Sequence, residues 1–239
     1  MNNIEILRNL SGWDFSSIGA KWSESQKYKL NYNNTDYPYY AIYLMDNELN
    51  DFTDEEHEIN IKYAMYVYDD CDIDTEDLYI VIGQNPSHSS SKNIDGTNQN
   101  IYKALLSNNI HRYLLLNTFP IIDPDGANSQ DLLKATENIK LATKTIESLF
   151  EQGITVKIIY ACGNSLPVYA KFIETIESLI DAHATETYAF AASDEIQTHL
   201  SMQALNSKKI EPYTLKLVKC GIKTTQPDGF KTVTFVKGG

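Results

Sequence analysis

Three short apolar runs constrain this chain more than anything else in it. They are Leu78-Tyr-Ile-Val-Ile82, Tyr113-Leu-Leu-Leu116 and Val156-Lys-Ile-Ile-Tyr160. Runs of this kind read as strands buried on both faces. Each stops at a residue suited to a loop or turn: Gly83, Asn117 and Gly163. Helical spacing fills the intervals. Leu132, Leu133, Ile139, Ala142, Ile146 and Leu149 recur on one face over 130–151, and 101–108, 168–180 and 194–205 also read as helices. A fourth strand is expected over 187–191, and terminal strands over 215–218 and 232–236 flank the turn Gln226-Pro-Asp-Gly229. Strands alternating with helices predict an α/β fold, a mostly parallel central sheet flanked by helices on both faces. In such sheets ligands dock beyond the carboxyl ends of the strands.

The first 77 residues have another rhythm. Nine tyrosines fall between Tyr28 and Tyr68. Residues 59–68 alternate with a period of two, which predicts a strand with one buried face. With strands expected over 28–32 and 39–44, they form an antiparallel, tyrosine-rich N-terminal extension. The expected division is 1–77 for this extension and 78–239 for the α/β domain.

Charge enters here because it bears on ligands. The chain of 239 residues has 32 acidic and 20 basic side chains, a net charge of -12. Asp46–Asp77 holds thirteen acids against Lys62 alone, so the whole excess lies in that segment. The remainder is neutral, and it turns basic after Ile196. A nucleic-acid or nucleotide ligand is therefore compatible with the α/β part, with modest DNA affinity. The acidic segment 46–77 is a possible protein-partner surface, a mimic of DNA phosphates. Its run Asp69–Asp77 reads as a solvated loop. Cys71, Cys162 and Cys220 form no disulfide framework or zinc cluster, and buried inert thiols are expected. Asp95, Asp123 and Asp125 read as turn or cap residues, and His57 and His183 as solvent-facing. No metal and no cofactor is expected. Without an apolar span or signal peptide, the expected location is cytoplasmic.

Two strand ends carry the chemistry. Gly83-Gln84-Asn85-Pro86-Ser87-His88 places a glycine, two amides, a turn-fixing proline and a histidine at one of them. Leu114-Leu-Leu-Asn117-Thr-Phe119-Pro120 brings another amide to the same edge. An asparagine there can hold a base edge, since its amide presents a donor and an acceptor in one plane. The third strand ends in Ala161-Cys-Gly163-Asn164.

These segments resemble the uracil-DNA glycosylase superfamily, whose water-activating motif Gly-Gln-Asp-Pro-Tyr-His aligns with 83–88. The closest likeness is to the domain-of-unknown-function family 1643, through Asn85-Pro-Ser87, Asp95-Gly-Thr97, Asn117-Thr-Phe-Pro120 and Asp123-Pro-Asp-Gly126. The resemblance covers roughly residues 78–228. It implies a uracil-DNA glycosylase-like fold and a nucleobase, nucleotide or DNA ligand, with hydrolysis of an N-glycosidic bond as the associated chemistry. Asn85 and His88 would be catalytic, and His199 would stand in for a late His-Pro motif that this chain lacks. Gln84, Asn117 and Phe119 would bind the base, on backbone turns at Gly83, Pro86, Ser87 and Gly163. Ser87 replaces the tyrosine that excludes thymine in the uracil enzymes. The alternatives are a non-catalytic binder of a nucleotide or modified base on the same fold, and the acidic DNA mimic.

Overall fold

A computed structural model of the chain describes residues 20–46, 62–71, 77–84, 95–120, 132–163, 167–193, 195–197, 200–225 and 232–238. The strands are β1 (Ala20–Trp22), β2 (Gln26–Tyr32), β3 (Thr35–Asp46), β4 (Lys62–Tyr68), β5 (Asp77–Gly83), β6 (Arg112–Asn117), β7 (Thr155–Tyr160), β8 (Thr187–Ala192), β9 (Glu195–Gln197), β10 (Lys216–Thr225) and β11 (Thr232–Lys237). The helices are α1 (Gly96–Leu106), α2 (Leu132–Glu151), α3 (Pro167–Ala182) and α4 (Met202–Lys208), with a 3-10 turn at Pro212–Thr214.

Among the described residues, eleven strands join one sheet, in the order β1-β3-β4-β6-β5-β7-β8-β10-β11, with β2 on β3 and β9 on β8. The fold is α/β, but the expectation of a mostly parallel sheet is corrected. Among the described residues only β5–β6, β5–β7 and β7–β8 run parallel. Antiparallel pairs flank this centre on both sides. The reason lies in the connections. Helices α1, α2 and α3 supply the long crossovers that parallel neighbours need, whereas β2–β3 and β10–β11 pair as adjacent antiparallel segments. The tyrosine-rich strands are antiparallel, as expected. They are hydrogen-bonded into the central sheet through β4 on β6, from Ala64↔Leu116 to Tyr68↔Arg112.

Both faces of the sheet are covered. Leu141, Ile146 and Leu149 of α2 and Phe172, Ile173 and Ile176 of α3 pack on one face, against Ile80, Ile82, Leu114 and Ile158. Ile101, Tyr102 and Leu105 of α1 and Leu205 of α4 pack on the other, against Val81, Tyr113, Leu115 and Ile159. Strand β4 was expected to bury one face. Instead Tyr63 and Tyr66 face the first core and Met65 and Val67 the second, all buried. Tyrosine permits this because it combines a large apolar ring with a single polar tip.

The helix expected over 194–205 is also corrected. Glu195-Ile-Gln197 pairs with β8. Helix α4 begins only after Ser201, whose hydroxyl accepts from the Ala204 amide. No described helix is long and apolar enough to cross a membrane.

Candidate functional site at the strand ends

Helix α1, which follows β5 in the chain, packs on one face of the sheet, and α2 and α3, which follow β6 and β7, pack on the other. This divergence is the switch point at which doubly wound sheets bind ligands, here beyond Gly83, Asn117 and Tyr160.

Gly83 and Asn117 are direct partners in the parallel ladder. Beyond them the two loops are joined by hydrogen bonds. The Thr118 amide donates to the Gly83 carbonyl at 2.9 Å, and the Phe119 amide to the Gln84 carbonyl at 3.0 Å. The Thr118 hydroxyl also donates to the Gln84 carbonyl, at 2.7 Å. Asn138 of α2 donates its side-chain amide to the Asn117 carbonyl at 2.8 Å. The backbone at this edge is thus held independently of the Asn117 side chain.

That side chain lies over Gly83. A Cβ at position 83 would stand 2.6 Å from Asn117 Oδ1 and 3.2 Å from Leu115 Cδ1. Glycine is required here for close approach. Asn117 is only 4 % exposed. Among the described residues its side-chain amide makes no hydrogen bond. An amide so placed has a donor and an acceptor to offer a ligand.

The walls come from neighbouring elements. β7 continues to Ala161, whose amide donates to the Ile82 carbonyl at 2.9 Å, and to buried Cys162. Gly163 then turns with φ 73°, a left-handed conformation that favours glycine. Burial pushes the Cys162 thiol up to about 12, so it is an inert packing group, as is Cys220. From β4, the Lys62 amide donates to the Pro120 carbonyl at 2.8 Å. The Lys62 side chain is 8 % exposed. Burial lowers its pKa to about 8, against the opposing attraction of Asp95, and its ammonium lies 5.3 Å from the Tyr43 ring centre. Asp95 caps α1, accepting from the Thr97 and Asn98 amides at 2.9 and 3.0 Å.

The structure therefore brings Gly83, Gln84, Asn117 and Gly163 to the ends of adjacent strands. Gln84 is half-buried. Phe119 is 1 % exposed, so its ring belongs to the interior. Asn85, Pro86, Ser87, His88 and His199 lie outside the described residues, as do Asp123 and Asp125, His57 and most of the acidic segment. His183 is exposed and stacks on Phe150.

Two features escaped sequence reasoning. Lys62 figured there only as a charge, although it was the sole base in an acidic stretch. The expectation that Asp69–Asp77 is solvated is corrected at its first residue, since Asp69 is 2 % exposed. It accepts hydrogen bonds from Tyr37 and Tyr102, at 2.7 and 2.8 Å, and pairs with His111 at 2.8 Å. Asp69 thus cannot serve a phosphate-mimicking surface.

Comparison with known families gives one result: residues 70–200, more than half of the chain, match the family described as Protein of unknown function (DUF1643). No curated protein and no solved structure matches the chain.

Proposed function

The chain belongs to the DUF1643 family, and on that premise we propose that it is a uracil-DNA glycosylase-like protein that binds a nucleobase, free or within a nucleotide or DNA, at the carboxyl ends of β5, β6 and β7. The observation that carries this reading is the buried Asn117 amide. Its donor and acceptor are unspent among the described residues, and it is braced over Gly83. A planar pair of this kind complements a base edge that offers one carbonyl and one N–H. The hydrogen-bonded Gly83–Gln84 and Thr118–Phe119 loops hold it in place.

In the hydrolytic form of this reading, a base flipped from the stack enters the pocket and is held by Asn117. Asn85 orients a water toward the sugar carbon. The carbon–nitrogen bond breaks, the water oxygen joins the sugar, and the base departs with its electron pair and takes up the proton that the water loses. His88 or His199 stabilises that departing anion. Buried Lys62 adds positive charge at the same edge.

The test uses the full chain in excess over oligonucleotides containing uracil, hypoxanthine or a mismatch, scored for abasic sites in a single turnover. Cleavage that falls about 100-fold or more in Asn117→Ala supports the enzyme. Absence of cleavage, with nucleotide-induced melting shifts that vanish in Asn117→Ala, supports the non-catalytic binder. Absence of any Asn117-dependent cleavage or binding rejects the site.

A further inference from the structure

A second cluster of chemically capable side chains sits at the other end of β6. The chain leaves β4 at Tyr68, which pairs with Arg112, so Asp69 and His111 meet across the antiparallel ladder. A tight turn follows, in which the Cys71 amide donates to Asp69 Oδ1 at 2.9 Å. This bond brings Cys71 back toward the same point. The donor atoms of Asp69, Cys71 and His111 all lie within 4.8 Å of one another. Tyr37, from β3, places its hydroxyl among them: 2.7 Å from Asp69 Oδ2, 3.1 Å from His111 Nδ1 and 3.4 Å from Cys71 Sγ. Tyr102 of α1 donates to Asp69 Oδ2 at 2.8 Å and fixes the carboxylate.

We propose that Asp69, Cys71 and His111 form a binding site for Zn²⁺, or a similar borderline-soft divalent ion, with an open fourth position beside the Tyr37 hydroxyl. Oxygen, sulfur and nitrogen together are the donor set of zinc, whereas Mg²⁺ and Ca²⁺ take oxygen alone. Tetrahedral zinc holds such donors about 3.3–3.7 Å apart, given metal–ligand bonds of about 2.0–2.3 Å. The cluster spans that spacing. The Asp69–His111 pair, at 2.8 Å, opens by well under 1 Å to admit the ion. Metal binding releases the thiol proton of Cys71 and leaves the His111 proton on Nε2. Asp69 is buried and Cys71 is exposed, so one side of the site is anchored and the other faces solvent. Tyr102 acts as the outer partner that orients a ligand carboxylate. The site is about 20 Å from Asn117, the length of β6, and does not depend on the proposed base site.

The experiment is titration of the full, reduced chain with CoCl₂, followed by displacement with ZnCl₂. Uptake of one Co²⁺ per chain is expected, with the visible bands of a tetrahedral ion and a near-ultraviolet thiolate-to-metal band. Cys71→Ser, an exposed change that leaves the far-ultraviolet circular dichroism intact, abolishes the thiolate band. His111→Ala lowers affinity about 100-fold or more, and Tyr102→Phe about tenfold. No uptake by the full chain overturns the proposal. So does uptake whose spectrum and affinity are unchanged in Cys71→Ser and His111→Ala.

Discussion

Strand β4 and the inner part of β3, like the parallel centre, are buried on both faces, yet the two regions are built from different residues. Strands β2 to β4 fill their cores with Tyr28, Tyr39, Tyr43, Tyr63 and Tyr66, whereas β5 and β7 use mainly valine, isoleucine and leucine. A buried phenol brings a polar tip with it, and these tips need partners. Tyr28 and Tyr43 share a hydrogen bond at 2.9 Å, and Tyr102 reaches Asp69. The parallel centre holds fewer buried phenols, Tyr113 and Tyr160, and sets the buried amide of Asn117 at its end. The difference teaches where each half is vulnerable. The first depends more heavily on the protonation of its core, and the second on the shape of its strand ends.

The largest expected effect is alkaline unfolding. Burial raises the pKa of Tyr39, Tyr43, Tyr66, Tyr102 and Tyr113 above the ordinary 10. Below pH 10 the folded and unfolded chains are equally protonated at these positions. Above it the unfolded chain loses protons that the folded chain keeps, so stability falls as pH rises. Each such group contributes a slope of about 1.4 kcal/mol per pH unit. Five give about 7 kcal/mol per unit, which rivals the whole stability of a typical domain. Lys62 works in the opposite sense. Its folded pKa of about 8 lies below the ordinary 10.5, so the unfolded chain holds more protons between those values. Stability therefore rises gently from pH 8 toward 9, turns downward as the raised Cys162 and Cys220 thiols add the opposite slope, and collapses beyond pH 10. Urea unfolding against pH, with phenolate absorbance recorded in parallel, checks this. Phenols that ionise near pH 10 in a chain that stays folded would break the contrast between the halves.

The parallel half is probed by Gly83→Ala. The added methyl meets Asn117 Oδ1 at 2.6 Å, so the amide must swing away. Overpacking of this kind costs about 2 kcal/mol. Displacement of the amide also removes base-edge recognition, so affinity for any nucleobase ligand falls along with the melting temperature. The loss of stability is insensitive to pH between 6 and 9, since neither Gly83 nor Asn117 titrates. A variant with unchanged stability and unchanged ligand response would show that Asn117 is not braced over position 83.

The same contrast explains what was legible in the sequence. Strand positions could be read because apolar runs and turn residues mark them. Strand direction could not, because a run buried on both faces looks alike beside a parallel or an antiparallel neighbour. Strand β4 was misread for a related reason. Its period of two predicted one buried face, whereas Tyr63 and Tyr66 fill one core and Met65 and Val67 the other. The meeting of Gly83 and Asn117 at one sheet edge was legible because both residues end strands of an α/β pattern. The Asp69–His111 cluster was invisible. Its members are 42 residues apart and meet only through the pairing of β4 with β6, which no local pattern encodes.

The smallest effect falls where the halves meet, at Asp95. Its carboxylate caps α1, the helix that crosses from β5 to β6, through the Thr97 and Asn98 amides. It also attracts the buried ammonium of Lys62 on β4. Two substitutions separate these roles. Asp95→Ala removes cap and charge together and costs about 1 kcal/mol, the usual value for a lost helix cap. Asp95→Asn keeps an acceptor for the helix amides and costs less, while it removes the charge. In both variants the Lys62 pKa falls below about 8, because burial then acts without its electrostatic counterweight. Nuclear magnetic resonance of the reductively methylated lysines follows that titration, and urea unfolding at pH 7 follows the stability. If the Lys62 titration does not move in Asp95→Asn, the attraction across the seam is absent, and the two halves meet there through packing and backbone hydrogen bonds alone.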